Sequence, residues 1–314
     1  MALPDPEVDL TVVVPFHNTG ASVRRTVEQI VEVLAATGAT FEVVAVSDGC
    51  TDGSETTLAG VAPEVVTCVV LASRGGKGQA VRTGLARGRG RYLGFIDGDG
   101  DVPPELLAEF LDIARQEDPD VVLGSKRHPD SQVVYPVARR LYSWGYQQLV
   151  AALFRLDVRD TQAGIKVVRR DVLAAVLPKM REQGYAFDLE LLVLARRLGF
   201  ARHREAPVRI GRRFSSTVSV RVVGEMLLDT FAIWWRLNVR RSYGLAGSSP
   251  PAMAAPAVPA AAASDTPPAA ASDTPAGGPR AVSLANGSRS DVVRSNGRGK
   301  KSSVVTMPPR RVAP

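Results

Sequence analysis

Short apolar runs recur along the first half of the chain, at Leu10–Val14, Phe41–Val46, Val65–Leu71, Tyr92–Ile96 and Val121–Leu123. Between them, apolar residues repeat at helical spacing over Ala21–Ala36, Gly78–Arg87 and Pro104–Arg115. Short runs bounded by glycine, proline and polar residues read as strands, and the longer periodic segments as helices. This alternation predicts an α/β fold, a mostly parallel sheet covered by helices on both faces. The texture changes over Ser143–Arg240. A helical pattern near Tyr142–Phe154 leads to a turn at Asp160–Gly164, a helix over Phe187–Leu198 and a strand near Ala206–Ile210. This stretch reads as a continuation of one domain over residues 1–244.

Val222–Val239 is the nearest approach to a membrane span, but Glu225 and Asp229 interrupt it and Arg236 lies near its end. It reads as an amphipathic helix with Met226, Leu227, Phe231, Ile233, Trp234 and Leu237 on its apolar side. Packing on the core is the favoured reading. The alternative is a helix on a membrane surface, with Trp234 and Trp235 at the headgroups. From about Ser248 the composition collapses to Ala, Pro, Ser, Thr and Gly, and Ala-Ser-Asp-Thr-Pro occurs at 263–267 and again at 271–275. Such a segment has too few large apolar residues to form a core, so 245–314 is expected to be a disordered tail with a basic end.

Composition sharpens this picture in three places. With 45% apolar and 23% charged residues, 314 positions suffice for one large core. The net charge of +7 is mostly the tail's, because eight Lys/Arg face three Asp/Glu from Leu245 onward. That leaves +2 for the first 244 residues, and no element suited to reading a nucleic acid accompanies it, so none is expected as a partner. Two cysteines build no disulfide framework, and Cys68, inside an apolar run, is expected in the core. The N-terminus has no basic segment followed by an apolar one, so a cytoplasmic location is expected.

Chemistry concentrates at the ends of the strands. In open α/β sheets ligands bind beyond the carboxyl ends of the strands. There the chain carries Pro15-Phe16-His17-Asn18, Ser47-Asp48-Gly49 and Asp97-Gly98-Asp99-Gly100-Asp101. Three carboxylates at alternating positions can converge on one hard cation, Mg²⁺ or Mn²⁺, and leave room for a diphosphate. A calcium loop is excluded, since counting from Asp97 its glycine and glutamate positions hold Val102 and Ala108. Gly75-Gly76-Lys77-Gly78 has the look of a phosphate cradle without the P-loop pattern. Lys126, Arg127 and the cationic loop Arg209–Thr217 offer further partners for phosphate oxygens.

Thr11-Val12-Val13-Val14-Pro15, the run Glu42–Gly53 and Phe95-Ile96-Asp97-Gly98-Asp99 occur in this order. The pattern resembles the family 2 glycosyltransferases of GT-A fold. Arg74–Val81, Gly124-Ser125-Lys126-Arg127, Asp160-Thr161-Gln162-Ala163-Gly164-Ile165-Lys166 and Phe187-Asp188-Leu189-Glu190 extend the likeness to the dolichyl-phosphate mannose and glucose synthases, over residues 9 to 240.

The resemblance implies an inverting, membrane-peripheral transferase at the inner face of a membrane. It would move a hexose from GDP-mannose or UDP-glucose to a polyprenyl phosphate with Mg²⁺ or Mn²⁺ as cofactor. Asp97, Asp99 and Asp101 would be the metal ligands. Pro15, His17, Asn18, Asp48, Gly76, Lys77 and Gly98 would join Asp97 and Asp99 around the nucleotide sugar, with Asp48 accepting a base N–H. Lys126, Arg127 and Arg213 would assist transfer. Asp160, Gln162, Arg212, Arg213 and Ser215 would receive the acceptor. Departures from the family pattern, such as Asn18-Thr19 and Ser47-Asp48-Gly49-Cys50, fall on the nucleotide pocket and not on the metal site. A transferase for a soluble or glycan acceptor, with Asp188 or Glu190 as its base, is one alternative. A non-catalytic nucleotide-sugar-binding protein is another.

Overall fold

The computed structural model describes residues 3–133, 137–210 and 220–245. These fall within one compact unit, Met1–Ala255. The elements run β1 (Val8–Phe16), α1 (Ser22–Ala35), β2 (Phe41–Asp48), β3 (Val66–Leu71), α2 (Lys77–Leu85), β4 (Gly90–Ile96), α3 (Glu105–Glu117) and β5 (Val121–Ser125). Then come β6 (Gln132–Val133), α4 (Val137–Phe154), β7 (Ile165–Arg169), α5 (Arg170–Val176), α6 (Phe187–Arg197), β8 (His203–Pro207), β9 (Arg209–Ile210) and α7 (Val220–Asn238). A short 3-10 turn at Ser54–Leu58 precedes β3.

Seven strands form one sheet in the order β3-β2-β1-β4-β7-β5-β8. All neighbours are parallel except at β7, which runs antiparallel to both β4 and β5. Side chains alternate between faces along a strand, so each strand feeds two cores. In β1, Leu10, Val12 and Val14 join the core under α1 and α3, and Val13 joins the other, under α2, α5 and α6. Helix α1 buries Val23, Thr26, Val27, Ile30 and Leu34, the spacing of one helical stripe. The mostly parallel α/β sheet covered on both faces is thus present, with α1 following β1 and α3 following β4.

Four details differ from the sequence expectation. Strand β7, which the apolar pattern does not predict, lies between β4 and β5. The run Val65–Leu71 forms a strand at the end of the sheet, so Cys68 is exposed and Val70 is 59% exposed. The strand expected near Ala206–Ile210 begins earlier, at His203, and its last two residues leave the main sheet to pair with β6.

Helix α7 has two apolar faces where one was expected. Thr230, Ile233 and Leu237 are buried, whereas Leu227, Leu228, Phe231 and Trp235 are exposed. At 100° per residue the mean directions of the two sets lie about 140° apart, and Glu225, Asp229 and Arg236 line up between them on the other side. Ile233 and Leu237 therefore pack on the core as favoured, and Leu227 and Phe231 do not. Among the described residues no helix is long and apolar enough to cross a membrane.

Candidate active site

The parallel register sets Pro15 opposite Val46 and Phe16 opposite Ser47, so β1 and β2 release their loops at the same level. His17 Nδ1 lies 2.7 Å from the carbonyl of Asp48. Asn18 adopts a left-handed φ of 49° and its Oδ1 accepts the N–H of Thr51 at 2.9 Å. Asp52 accepts the N–H of Gly20 and both the N–H and hydroxyl of Ser54, tying the two loops together. Asp48 itself is buried, and its two carboxylate oxygens accept the N–H groups of Gly75 at 2.7 Å and Gly76 at 2.9 Å. Its carboxylate thus builds the loop that enters α2. Gly76 has φ of +93°, and a β-carbon there would stand 2.6 Å from the carbonyl oxygen of Gln183. Only glycine allows this combination of conformation and approach.

Asp97 follows β4 directly. Its N–H donates to the carbonyl of Gly164 at 3.0 Å, and its Oδ1 lies 2.6 Å from Lys77 Nζ. A side chain at position 164 would meet Asp97 Oδ2 at 2.3 Å, so Gly164 leaves the Asp97 carboxylate room at the close passage of the two loops. Gly98 packs beside the carbonyl of Pro15. Asp99 Oδ1 accepts the N–H of Asp101 at 3.0 Å. The Asp99 carboxyl is pushed above the usual range, first by partial desolvation in the cleft and then by the like charges of Asp97 and Asp101.

The expected three-carboxylate cluster is not assembled. Among the described residues, three potential ligands lie within 4.8 Å of one another only at Cys50, Asp52 and Glu55, where Asp52 is already a loop staple. Asp97 is paired with Lys77, and Asp101 meets Asp99 through its backbone. Asp97 and Asp99 nevertheless fit a magnesium-type cation. Such ions take one or two protein carboxylates and complete their shell with waters and substrate phosphates.

A second group forms at the end of β5. The N–H of Lys126 donates to Asp160 Oδ2 at 3.0 Å, and its Nζ donates to the carbonyl of Gln162 at 3.3 Å. Asp160 Oδ1 also accepts the N–H of Gln162. Ser125 Oγ, Thr161 Oγ1 and Gln162 Nε2 are buried there without a hydrogen-bond partner among the described residues. Lys126, Asp160 and Gln162 thus come together, and through Gly164 they adjoin Asp97. Arg127 instead donates to Ser143 on α4. Arg212, Arg213 and Ser215 lie outside the described residues.

In the buried layer beneath the cleft, the sequence offered Asp188 and Glu190 only as candidate bases and gave no role to Lys166. Lys166 Nζ donates to Asp188 Oδ1 at 2.5 Å and to the carbonyl of Ala163 at 3.0 Å. Phe95 and Phe187 pack with ring centroids 5.3 Å apart, and Lys77 Nζ lies 5.7 and 5.8 Å from those rings. Glu190 accepts the N–H groups of Arg181 and Glu182 and the hydroxyl of Tyr243. A lysine inside an apolar strand and an aspartate opening an apolar helix were the available signal, since charges buried in such places need partners.

Residues 11–177, more than half of the chain, match the model of glycosyl transferase family 2. The chain belongs to that family. The glycosyltransferase AglD of Haloferax volcanii is 30% identical over 238 residues, covering 74% of this chain and 38% of that protein. A dolichyl-phosphate beta-glucosyltransferase of Drosophila melanogaster is 29% identical over 211 residues, covering 62% of this chain and 64% of the relative. An undecaprenyl-phosphate mannosyltransferase of Micrococcus luteus is 32% identical over 163 residues, covering 51% and 65%. The matched part thus spans less than two thirds of these relatives. Among solved structures, glucosyl-3-phosphoglycerate synthase of Mycobacterium tuberculosis with Mn²⁺, UDP-glucose and phosphoglyceric acid superposes with a TM-score of 0.55. It is 20% identical, over 73% of this chain and 79% of that one, so the likeness extends to the GT-A fold.

Proposed function

We propose that this family 2 glycosyltransferase moves a hexose from a nucleotide diphosphate sugar to a polyprenyl phosphate, with inversion, at a membrane surface. The names of the glucosyl- and mannosyltransferase relatives support the acceptor class and leave glucose and mannose as candidate sugars. The observation that carries the reading is the set of large apolar side chains left exposed on the helix pair α4 and α7. Helices α4 and α7 are tied by Tyr146 Oη and Thr230 Oγ1 at 2.9 Å, and together they expose Tyr142, Trp144, Leu227, Leu228, Phe231 and Trp235. Burial raises the phenol of Tyr146 to about 12, and the charges of Asp188 and Asp229 add to the shift. The helix pair thus adjoins the buried side of the cleft. Trp and Tyr suit the headgroup region, and the exposed Arg240 and Arg241 at the end of α7 suit anionic lipid.

The chemistry follows from the groups present. An acceptor phosphate oxygen forms a bond to the anomeric carbon from the face opposite the leaving group. The bond from that carbon to the diphosphate oxygen breaks, and its electron pair leaves with the nucleoside diphosphate. A divalent cation held by Asp97 and Asp99 would neutralise the charge developing on that diphosphate. Lys126 and the Asp160–Gln162 loop would orient the acceptor phosphate. That phosphate is already ionised, so positioning and electrostatics replace a general base. This agrees with the state of Asp188 and Glu190, the candidates for the single base that a soluble acceptor would need. Each is committed to internal partners.

The test is nucleoside diphosphate release from GDP-mannose and UDP-glucose with Mn²⁺ or Mg²⁺, with and without polyprenyl phosphate. Release that depends on the lipid is expected. Lipid-independent release alone, or none, would replace this reading with another acceptor or a non-catalytic role.

A further inference from the structure

Lys77 does more than line the donor site. It is the first residue of α2, and its main chain is fixed from two sides: Asp48 grips the N–H groups of Gly75 and Gly76, and Gly76 packs on the carbonyl of Gln183. From this base the side chain passes beside Phe95 and Phe187 to bring its ammonium 2.6 Å from Asp97 Oδ1. Both side chains are shielded, 19% and 27% exposed. The ammonium therefore occupies a lone-pair direction on one of the two carboxylates that fit a metal.

Lys166 is committed to Asp188, so among the described residues Lys77 is the cation in contact with Asp97. A divalent cation arriving by itself would have to share Asp97 with the ammonium or displace it with no new partner for it. A cation arriving with a diphosphate brings phosphate oxygens that give the released ammonium a new partner.

We propose that Lys77 is a resident counter-cation of the metal site, displaced from Asp97 only when divalent metal and donor diphosphate bind together. The inference rests on the reading of Asp97 and Asp99 as the metal carboxylates. It makes metal affinity conditional on the nucleotide and guards the cleft against idle metal occupancy. Lys77 acts here as a positioning residue toward the metal, and its removal has opposite effects on the two ligands.

The experiment is Mn²⁺ binding to the full-length protein, read from the electron paramagnetic resonance of free Mn²⁺, with and without UDP or GDP. Wild type, Lys77→Gln, Lys77→Met, Lys77→Arg and Asp99→Ala are compared, each checked for folding by circular dichroism. Wild type is expected to bind Mn²⁺ weakly alone and at least tenfold more tightly with its nucleotide. Lys77→Gln and Lys77→Met are expected to bind Mn²⁺ alone at least tenfold more tightly than wild type, with the nucleotide's enhancement reduced. Lys77→Arg keeps the cation and is expected to keep weak binding. Folded Gln and Met variants that bind Mn²⁺ alone no better than wild type overturn the proposal, even if nucleotide affinity falls. So does a wild-type affinity for Mn²⁺ that is the same with and without nucleotide, which covers variants that do not fold. A different result, in which Asp99→Ala binds Mn²⁺ with nucleotide as wild type does, would overturn the metal-site reading itself.

Discussion

Lys166 Nζ and Asp188 Oδ1 meet at 2.5 Å beneath the cleft, with side chains 0% and 3% exposed. The pair joins β7 to the first turn of α6. Lys166 also holds the carbonyl of Ala163, and Gly164 next to it carries the close passage behind Asp97. A single ion pair thus couples the turn at Asp160–Gly164 to the first acidic residue of the site.

Breaking that pair from either side strands a buried charge. Lys166→Met and Asp188→Leu are each expected to lower stability by about 3–5 kcal/mol, while the double variant recovers most of the loss. Urea unfolding of the three proteins checks this. Single variants as stable as wild type would mean that the pair is not what holds the layer together. Recovered stability without recovered transfer would show that the turn needs the Lys166 contact to Ala163.

Asp99→Asn is expected to abolish transfer and yet stabilise the fold near neutral pH. The sign follows from the raised carboxyl pKa. Unfolded, Asp99 ionises in the ordinary carboxylate range, whereas in the native cleft it holds its proton to higher pH. Native stability is therefore lost as pH rises from the unfolded value through the folded one. A neutral amide avoids that loss. The gain in Tm for Asp99→Asn should be present at pH 7 and vanish below about pH 4, where both forms are protonated. A lower Tm at pH 7 would show that the Asp101 contact outweighs the repulsion. Wild-type turnover would remove Asp99 from the metal site.

Residues 246–314 are expected to be dispensable for chemistry. Their composition offers no apolar surface to complete a core, and the carboxylates and amides gathered at the cleft all come from residues before them. A chain ending at Leu245 should keep transfer to a short-chain polyprenyl phosphate within about threefold, a change of less than 1 kcal/mol in transition-state binding. A folded but inactive truncation would assign the tail a part in turnover.

How much of this was legible beforehand depended on how local the information was. Strands β1, β2 and β4 are apolar runs that end in chemistry, so Pro15, Asp48 and Asp97 could be placed at one edge of the sheet from the chain alone. Strand β7 could not. Lys166 interrupts its apolar run, and that lysine is tolerable in the core only because Asp188 waits 22 residues away. Val65–Leu71 misled for the opposite reason, since an apolar run does not say whether its strand has one neighbour or two. The Lys77–Asp97 contact was also hidden, because it depends on how α2 is anchored by Asp48, a relationship between three separate loops.

The outer face of α7 yields the sharpest test of the membrane reading. Phe231 is 53% exposed and Trp235 44%, and they lie opposite the buried Ile233 and Leu237, so changing them should cost the fold little. Burying two such rings in the interface is worth a few kcal/mol on an area basis, about 25 cal/mol per Å². Phe231→Glu with Trp235→Glu is therefore expected to weaken sedimentation with vesicles containing anionic lipid by tenfold or more. Thermal stability should hold within about 0.5 kcal/mol of wild type, the usual scale for surface substitutions. Transfer to a water-soluble, short-chain acceptor should remain, because neither ring touches the Asp97–Lys77 or Lys126–Asp160 groups, whereas transfer to long-chain acceptor in vesicles should fall with binding. Unchanged vesicle binding in the folded double variant would move the membrane contact to another surface, and a parallel loss with both acceptors would mean that these rings serve the cleft rather than the bilayer.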